Sequence, residues 1–191
     1  ILKGVSQHEQ LSKNIVFKGG TVLKKVYFAD YRFSEDLDFT LLDNDVSNEQ
    51  IFEWFNETFE YVKEEANIHL AIIDDNEHED GGINFYISYV GPLGGFGNNK
   101  KVKVDISRSE KLEFKPVVKK VFIEYSDLED YELLCYPLEE LLVENIRNEN
   151  PEIARGKSTL IEALTDKNVC ALEREYKGSK LVIISNINKD S

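Results

Sequence analysis

Asp36 and Asp38 stand two positions apart in the alternating run Asp36-Leu37-Asp38-Phe39-Thr40-Leu41. On a strand they share one face, while Leu37 and Phe39 share the other. Two carboxylates facing one way repel each other unless a cation lies between them. Hard oxygen donors in that arrangement suit Mg²⁺, which keeps several waters and completes its shell from substrate phosphates. A solvated acidic strand presents the same pattern, so the pair needs further residues before it implies chemistry.

A second alternating run, Lys101-Val102-Lys103-Val104-Asp105-Ile106, supplies them. Val102, Val104 and Ile106 are expected to face a core, and Lys103 and Asp105 to share the opposite face. Beside the first strand, Asp105 would complete a three-carboxylate site able to hold two metal ions and to align an attacking oxygen with a leaving pyrophosphate. Lys103 would pair with those carboxylates or contact phosphate. Gly19-Gly20-Thr21, preceded by Lys18, forms a third element. Glycines let a ligand approach the backbone, and free N–H groups at a helix start bind phosphate. The sequence GxxxxGK[ST] of a P-loop is absent, and a bare Gly-Gly is also what a tight left-handed turn needs.

The elements that must carry these residues follow from periodicity. Ile15-Val16-Phe17 is β-prone and stops at the glycines, and Val22, Leu23, Val26 and Tyr27 then keep helical spacing. The DxD strand begins sixteen residues after Gly20. A long helix is predicted over 48–66, with Ile51, Phe52, Phe55, Phe59 and Val62 along one face; Trp54 belongs with these core aromatics. Strands are expected at 68–74, 83–90, 101–107 and 117–125, a helix over 138–147, and a weakly patterned helical tail beyond Pro151 that ends in a strand at Val182-Ile183-Ile184. Residues 1–14 read as a helix remnant or linker of low structural content. The order gives an α+β (mixed α/β) fold, with a core over 1–136 and a C-terminal helical region over 137–191.

Composition narrows the classes. The 191 residues are 41% apolar and 31% charged, as in a globular domain, and no apolar run reaches the ~18 residues of a membrane span. Cys135 and Cys170 form neither a CxxC pair nor a disulfide framework, so a cytoplasmic location is expected. The net charge of −13 argues against nucleic-acid binding until its distribution is considered. Residues 43–80 carry thirteen acids against Lys63 alone, whereas residues 100–120 carry eight bases against three acids. The second stretch is expected to form a basic hairpin across which a polyanion enters. His8, His69 and His78 lack metal-ligand spacing and are expected at the surface.

Val16-Phe17-Lys18-Gly19-Gly20-Thr21-Val22-Leu23-Lys24 followed by Arg32-Phe33-Ser34-Glu35-Asp36-Leu37-Asp38-Phe39 resembles the AbiEii/AbiGii-type toxins, within the nucleotidyltransferase superfamily that has a polymerase-β-like core. The resemblance runs from about residue 11 to 43. It resumes at Lys103-Val104-Asp105 and at Leu138–Glu144, so that it covers roughly three quarters of the chain in order. It implies a small mixed sheet flanked by helices and Mg²⁺-dependent transfer of a nucleotidyl group from an NTP to an acceptor such as a tRNA-like RNA. A cognate antitoxin encoded nearby is implied as well. Asp36, Asp38 and Asp105 would be the metal ligands, with Lys103 beside them in the catalytic set. Lys18, Gly19, Gly20, Thr21, Arg32 and Ser34 would bind the nucleotide.

Two departures from the family pattern stand out. Asn145 follows Glu140 at the spacing where the family carries Lys, and Asp127 and Asp130 precede the C-terminal helix instead of following it. Arg147, Arg155 and Lys157 are the candidate substitutes for the missing base. These departures motivate an alternative: a catalytically weakened nucleotidyltransferase-fold module that acts by binding a protein or RNA partner.

Overall fold

The computed structural model describes residues 1–90, 100–108, 110–123, 128–149, 172–176 and 179–183. The chain divides into two compact units, Ile1–Pro137 and Leu138–Ser191.

The first unit is built on a seven-stranded mixed sheet. Its strands are β1 (Ile15–Lys18), β2 (Leu37–Leu41), β3 (His69–Glu77), β4 (Ile83–Val90), β5 (Lys101–Ser107), β6 (Val117–Lys120) and β7 (Glu132–Cys135). They lie in the order β3-β4-β5-β2-β1-β7-β6. β2 runs antiparallel to β1 and parallel to β5. A parallel pair needs a crossover, and the segment between β2 and β5 provides it with α4 (Asn48–Ala66) and the antiparallel β3–β4 pair.

Alternation divides the sheet into two unlike faces. Phe17, Leu37, Phe39, Phe85, Ile87, Val104 and Ile106 are all buried on one side. α4 covers this side, with the Phe55 and Phe52 rings edge-on to Phe85 at centroid distances of 5.1 and 5.5 Å. Each such Phe contributes roughly 1.5–3 kcal/mol by leaving water. α4 matches the predicted span: Ser47 and Gln50 form a reciprocal capping box at its start, and Asn67 closes it in the left-handed conformation at φ 51°. Ile51, Phe55, Phe59 and Val62 are buried as their spacing requires, whereas Trp54 is half-buried beside His8.

Several expectations need correction. Of the two readings of residues 1–14 the helical one holds, but their structural content is not low: they form two short helices, α1 (Leu2–Gln7) and α2 (Glu9–Asn14). Gly4 lets α1 lie against α4, since a Cβ there would come 2.6 Å from the Thr58 methyl. The helix after β1 starts at the glycines as α3 (Gly19–Val22) and loosens into a π-helical turn, Leu23–Tyr27. β3 runs on to Glu77, past an irregularity between Ile73 and Asn76 where Asp74 takes φ 52°. β6 ends at Lys120, and β7 is a strand that its short run does not announce.

The second unit opens with α5 (Leu138–Glu149), the predicted helix. Further on, β8 (Leu172–Tyr176) and β9 (Ser179–Ile183) pair as an antiparallel hairpin; β9 overlaps the strand expected at 182–184, and β8 stands in place of the expected helical tail. β-branched apolar residues such as Val182 and Ile183 favour that pairing.

Candidate active site

The other face of the sheet gathers the polar residues. Lys18, Asp38, Asp105 and Asn84 are successive register partners across β1, β2, β5 and β4. Two residues along, Thr40 is paired with Ser107. The row exists because every neighbour of these residues along its own strand is an apolar core residue, so the period of two turns the polar side chains the other way.

Asp38 and Asp105 therefore face the same side across one strand spacing, about 4.8 Å. The Asp105 side chain is 25% exposed and accepts a hydrogen bond from Lys103 Nζ at 3.2 Å. That hydrogen bond raises the Lys103 pKa; burial opposes the shift, and the charges of Asp105, Asp36 and Asp38 add to it. Lys103 thus experiences all three predicted carboxylates as neighbours. Asp36 is exposed and lies one residue ahead of β2, outside any helix or strand.

The glycines have specific tasks. Gly19 takes φ +75°, and a Cβ there would lie 2.2 Å from Asp38 Oδ2. Only a bare backbone can cross the carboxylate at that distance. At Gly20 a Cβ would meet Ser34 Oγ at 3.4 Å and Arg32 Nη2 at 3.5 Å, so these two side chains lie over the start of α3. Buried Thr21 donates from Oγ1 to the Asp36 carbonyl oxygen at 2.5 Å, joining the helix start to the segment that carries the aspartates.

Lys18 has a different employment from the one expected. It is 6% exposed and donates from Nζ to Glu110 Oε1 at 2.5 Å and to Ser107 Oγ at 3.0 Å. Thr40 Oγ1 and Tyr136 Oη each lie 2.6 Å from Glu110 Oε2. Burial alone would raise the Glu110 carboxyl, but the Lys18 charge and the hydrogen bonds from Lys18, Thr40 and Tyr136 outweigh it, and the pKa falls below its usual value. Sequence reasoning misses Glu110; the available signal is a lysine ending a strand whose other residues are core, since a buried ammonium needs a counter-charge.

His78 keeps a side chain 44% exposed, as a surface residue should, yet its Nε2 lies 3.8 Å from Asp105 Oδ2. It also contacts Asn84 Nδ2 at 3.0 Å. The tight turn His78–Gly82, with Gly81 at φ +82°, returns the chain to β4 and sets it there. No sequence spacing announces a contact of this kind.

The donor chemistry fits a divalent cation: the set is all carboxylate oxygen, as Mg²⁺ prefers. Among the described residues no group of three His, Cys, Asp or Glu side chains is close enough to hold an ion by itself. Phosphate oxygens and water would have to complete the shell. The side chains of Asn145 and Arg147 lie outside the described residues, as do Arg155, Lys157 and Asp127.

The glycine-started helix set against one aspartate strand, with a second aspartate strand parallel to it, defines an α+β nucleotidyltransferase-like core. The family model for the nucleotidyl transferase AbiEii toxin of type IV toxin–antitoxin systems matches residues 1–147, and the chain belongs to that family. The resemblance seen in the glycine and DxD motifs is thereby borne out. The solved structure of JHP933 from Helicobacter pylori is similar at a TM-score of 0.49 and 17% sequence identity, over 75% of this chain and 52% of that one. The chain thus spans about half the length of that protein. No curated protein sequence matches. Among the described residues no helix is long and apolar enough to cross a membrane.

Proposed function

We propose that the protein transfers a nucleotidyl group from a Mg²⁺-bound NTP to an RNA acceptor in the cytoplasm, as the toxin of a two-component system whose antitoxin is encoded nearby. The observation that carries this reading is the in-register pair Asp38 and Asp105, with Gly19 bared against Asp38. Asp36, Asp38 and Asp105 are the residues that would hold the metal. When bound, Mg²⁺ neutralises triphosphate charge and makes the acceptor hydroxyl easier to deprotonate.

The chain's own residues do the rest. The backbone at Gly19 and Gly20 admits the triphosphate, Arg32 and Ser34 fix its position, and Thr21 acts indirectly by holding the Asp36 segment to the helix start. Lys103 offsets the carboxylate charge before substrate arrives and contacts phosphate afterwards. Asp105 orients the acceptor hydroxyl for in-line attack. Lys18 acts indirectly, by tying the end of β1 to Glu110. The alternative of a non-catalytic binding module rests on Asn145, and no described side chain favours it.

Calorimetric titration with each NTP in the presence of Mg²⁺ tests the reading. The wild-type protein is expected to bind at least one NTP, and Asp38→Ala is expected to lose that binding. Equal affinity in the two proteins would refute the site.

A further inference from the structure

The polar face continues past the aspartates to Tyr86 and Ser88 on β4 and Lys101 on β5, to which the transferase reading assigns nothing. Tyr86 is the register partner of Lys103, and Ser88 that of Lys101. The Lys101 ammonium lies 3.9 Å from the centroid of the half-buried Tyr86 ring. On the outer side Tyr86 is paired with Ile73 and Ser88 with Ala71, so the strip is bordered there by uncharged side chains. α4 and its row of glutamates pack on the opposite face, through Phe52 and Phe55 on Phe85. The six α4 glutamates therefore lie behind the sheet and do not oppose an anion on this side.

Charge is also graded along the strip. At the Asn84 end lie the acids of the β3 tip and turn, Asp74, Asp75, Glu77 and Asp80; at the Ser88 end lie Lys100 and Lys101. From Asn84, the partner of Asp105, to Tyr86 is two residues of strand, roughly 6.6 Å, close to the stride of one extended nucleotide.

We propose that this face of β4 and β5 receives the single-stranded 3′ end of an RNA acceptor, with Tyr86 stacking a base next to the terminal nucleotide and Lys101 binding its phosphate. The inference rests on the transferase reading and adds the acceptor's path: the terminal hydroxyl lies at Asp105 and the body of the RNA leaves over Lys101, away from the acidic tip. A phosphate arriving at Lys101 draws its ammonium off the ring and frees that π-face for a base, the combination by which single strands are held without reading their sequence. A duplex end cannot offer an unstacked base to Tyr86.

The test uses the full chain and fluorescence anisotropy with a short fluorescein-labelled single-stranded RNA bearing a free 3′ hydroxyl, alongside calorimetry with Mg²⁺ and NTP on the same preparations. Tyr86→Leu is expected to weaken RNA binding about tenfold, while Tyr86→Phe stays within about twofold of wild type. Lys101→Gln, at an exposed position that does not threaten folding, is expected to lower the slope of log affinity against log salt by roughly 0.7. A blunt RNA duplex is expected to bind about tenfold more weakly than the single strand. NTP affinity should not move in any of these variants.

Wild-type RNA affinity in Tyr86→Leu together with an unchanged salt slope in Lys101→Gln would overturn the platform, as would equal binding of the blunt duplex. If the wild type still takes up NTP in those cases, the transferase reading stands. If the wild type takes up no NTP while both variants lose RNA as expected, the platform is supported and the transferase reading falls.

Discussion

Gly19 and Asp38 occupy a space that admits no side chain at residue 19: a Cβ there would sit 2.2 Å from the Asp38 carboxylate oxygen and 3.0 Å from its carbon. Asp38 keeps its place opposite Asp105 only because residue 19 is bare. Gly19→Ala should therefore push Asp38 aside and incur the left-handed strain at φ +75°, a loss of about 1–2 kcal/mol in stability. NTP affinity should fall further than stability does. Gly20→Ala, which meets its neighbours at 3.4 Å or more, should be much milder. Urea unfolding and NTP titration of the two variants check this, and the opposite ranking would contradict it.

Glu110 holds an ammonium that is nearly out of reach of water. Glu110→Gln removes the charge opposite a Lys18 side chain 7% exposed, and the Glu110 side chain at 32% exposed tempers the cost. A loss of about 1–3 kcal/mol is expected, less than for a fully buried pair. Lys18→Met in the Glu110→Gln background should recover part of it. Urea midpoints of the single and double variants measure both.

The same pair makes stability depend on acid. The Glu110 pKa is lowered in the folded state, so its contribution is complete above the ordinary value of 4.5 and is lost as pH falls through the folded value. The wild-type urea midpoint should drop on going from pH 6 to below about pH 4, and the drop should be smaller in Glu110→Gln. An equal drop in both proteins would mean that other carboxylates carry it all.

Thr21 joins two motifs that are far apart in sequence. Thr21→Val keeps the shape of a buried side chain but removes the hydroxyl that donates to the Asp36 carbonyl. Leaving that link unmade should cost about 1–2 kcal/mol, with a parallel loss of NTP affinity as the Asp36 segment loosens. Thr21→Ser should restore both. Thermal unfolding and calorimetry distinguish a loosened site from a general loss of stability.

The predicted basic hairpin over 100–120 is not one surface. Lys100, Lys101 and Lys103 lie on or beside β5, while Lys119 and Lys120 lie on β6, four strands away across the sheet. That is about 19 Å at 4.8 Å per strand, beyond the ~8 Å reach of charge at physiological salt. Lys120 is also paired with Asp130, and Lys119 lies 5.8 Å from the Tyr27 ring. Reversing Lys119 and Lys120 to Glu should leave anisotropy-measured RNA affinity unchanged, and a large loss would relocate the acceptor path.

What the sequence reveals here follows how local the physics is. The alternation around Asp38 and Asp105 requires their faces, and Gly19-Gly20 demands a special backbone, so these residues are legible. The spacing of Phe55, Phe59 and Val62 likewise defines α4. Glu110 and His78 are not legible, because their roles come from contacts across 92 and 27 residues of chain, to Lys18 and Asp105. β7 and β8 escape because neither contains a β-branched residue to mark its short run as a strand, as Ile15-Val16, Thr40 and Val182-Ile183 do in β1, β2 and β9. The motif position of Lys18 suggests phosphate, whereas its burial is set by strands that meet only in the fold.

The most direct test of the account is transfer itself. Each α-labelled NTP is incubated with Mg²⁺, total RNA and either the wild-type protein, Asp38→Ala or Asp105→Ala, all confirmed to be folded. The account predicts that the wild type labels RNA from at least one NTP and that either substitution lowers the rate at least a hundredfold, since general acid–base and metal-ligand groups contribute about 10²–10⁴. Labelling that proceeds at the wild-type rate in both variants would contradict it.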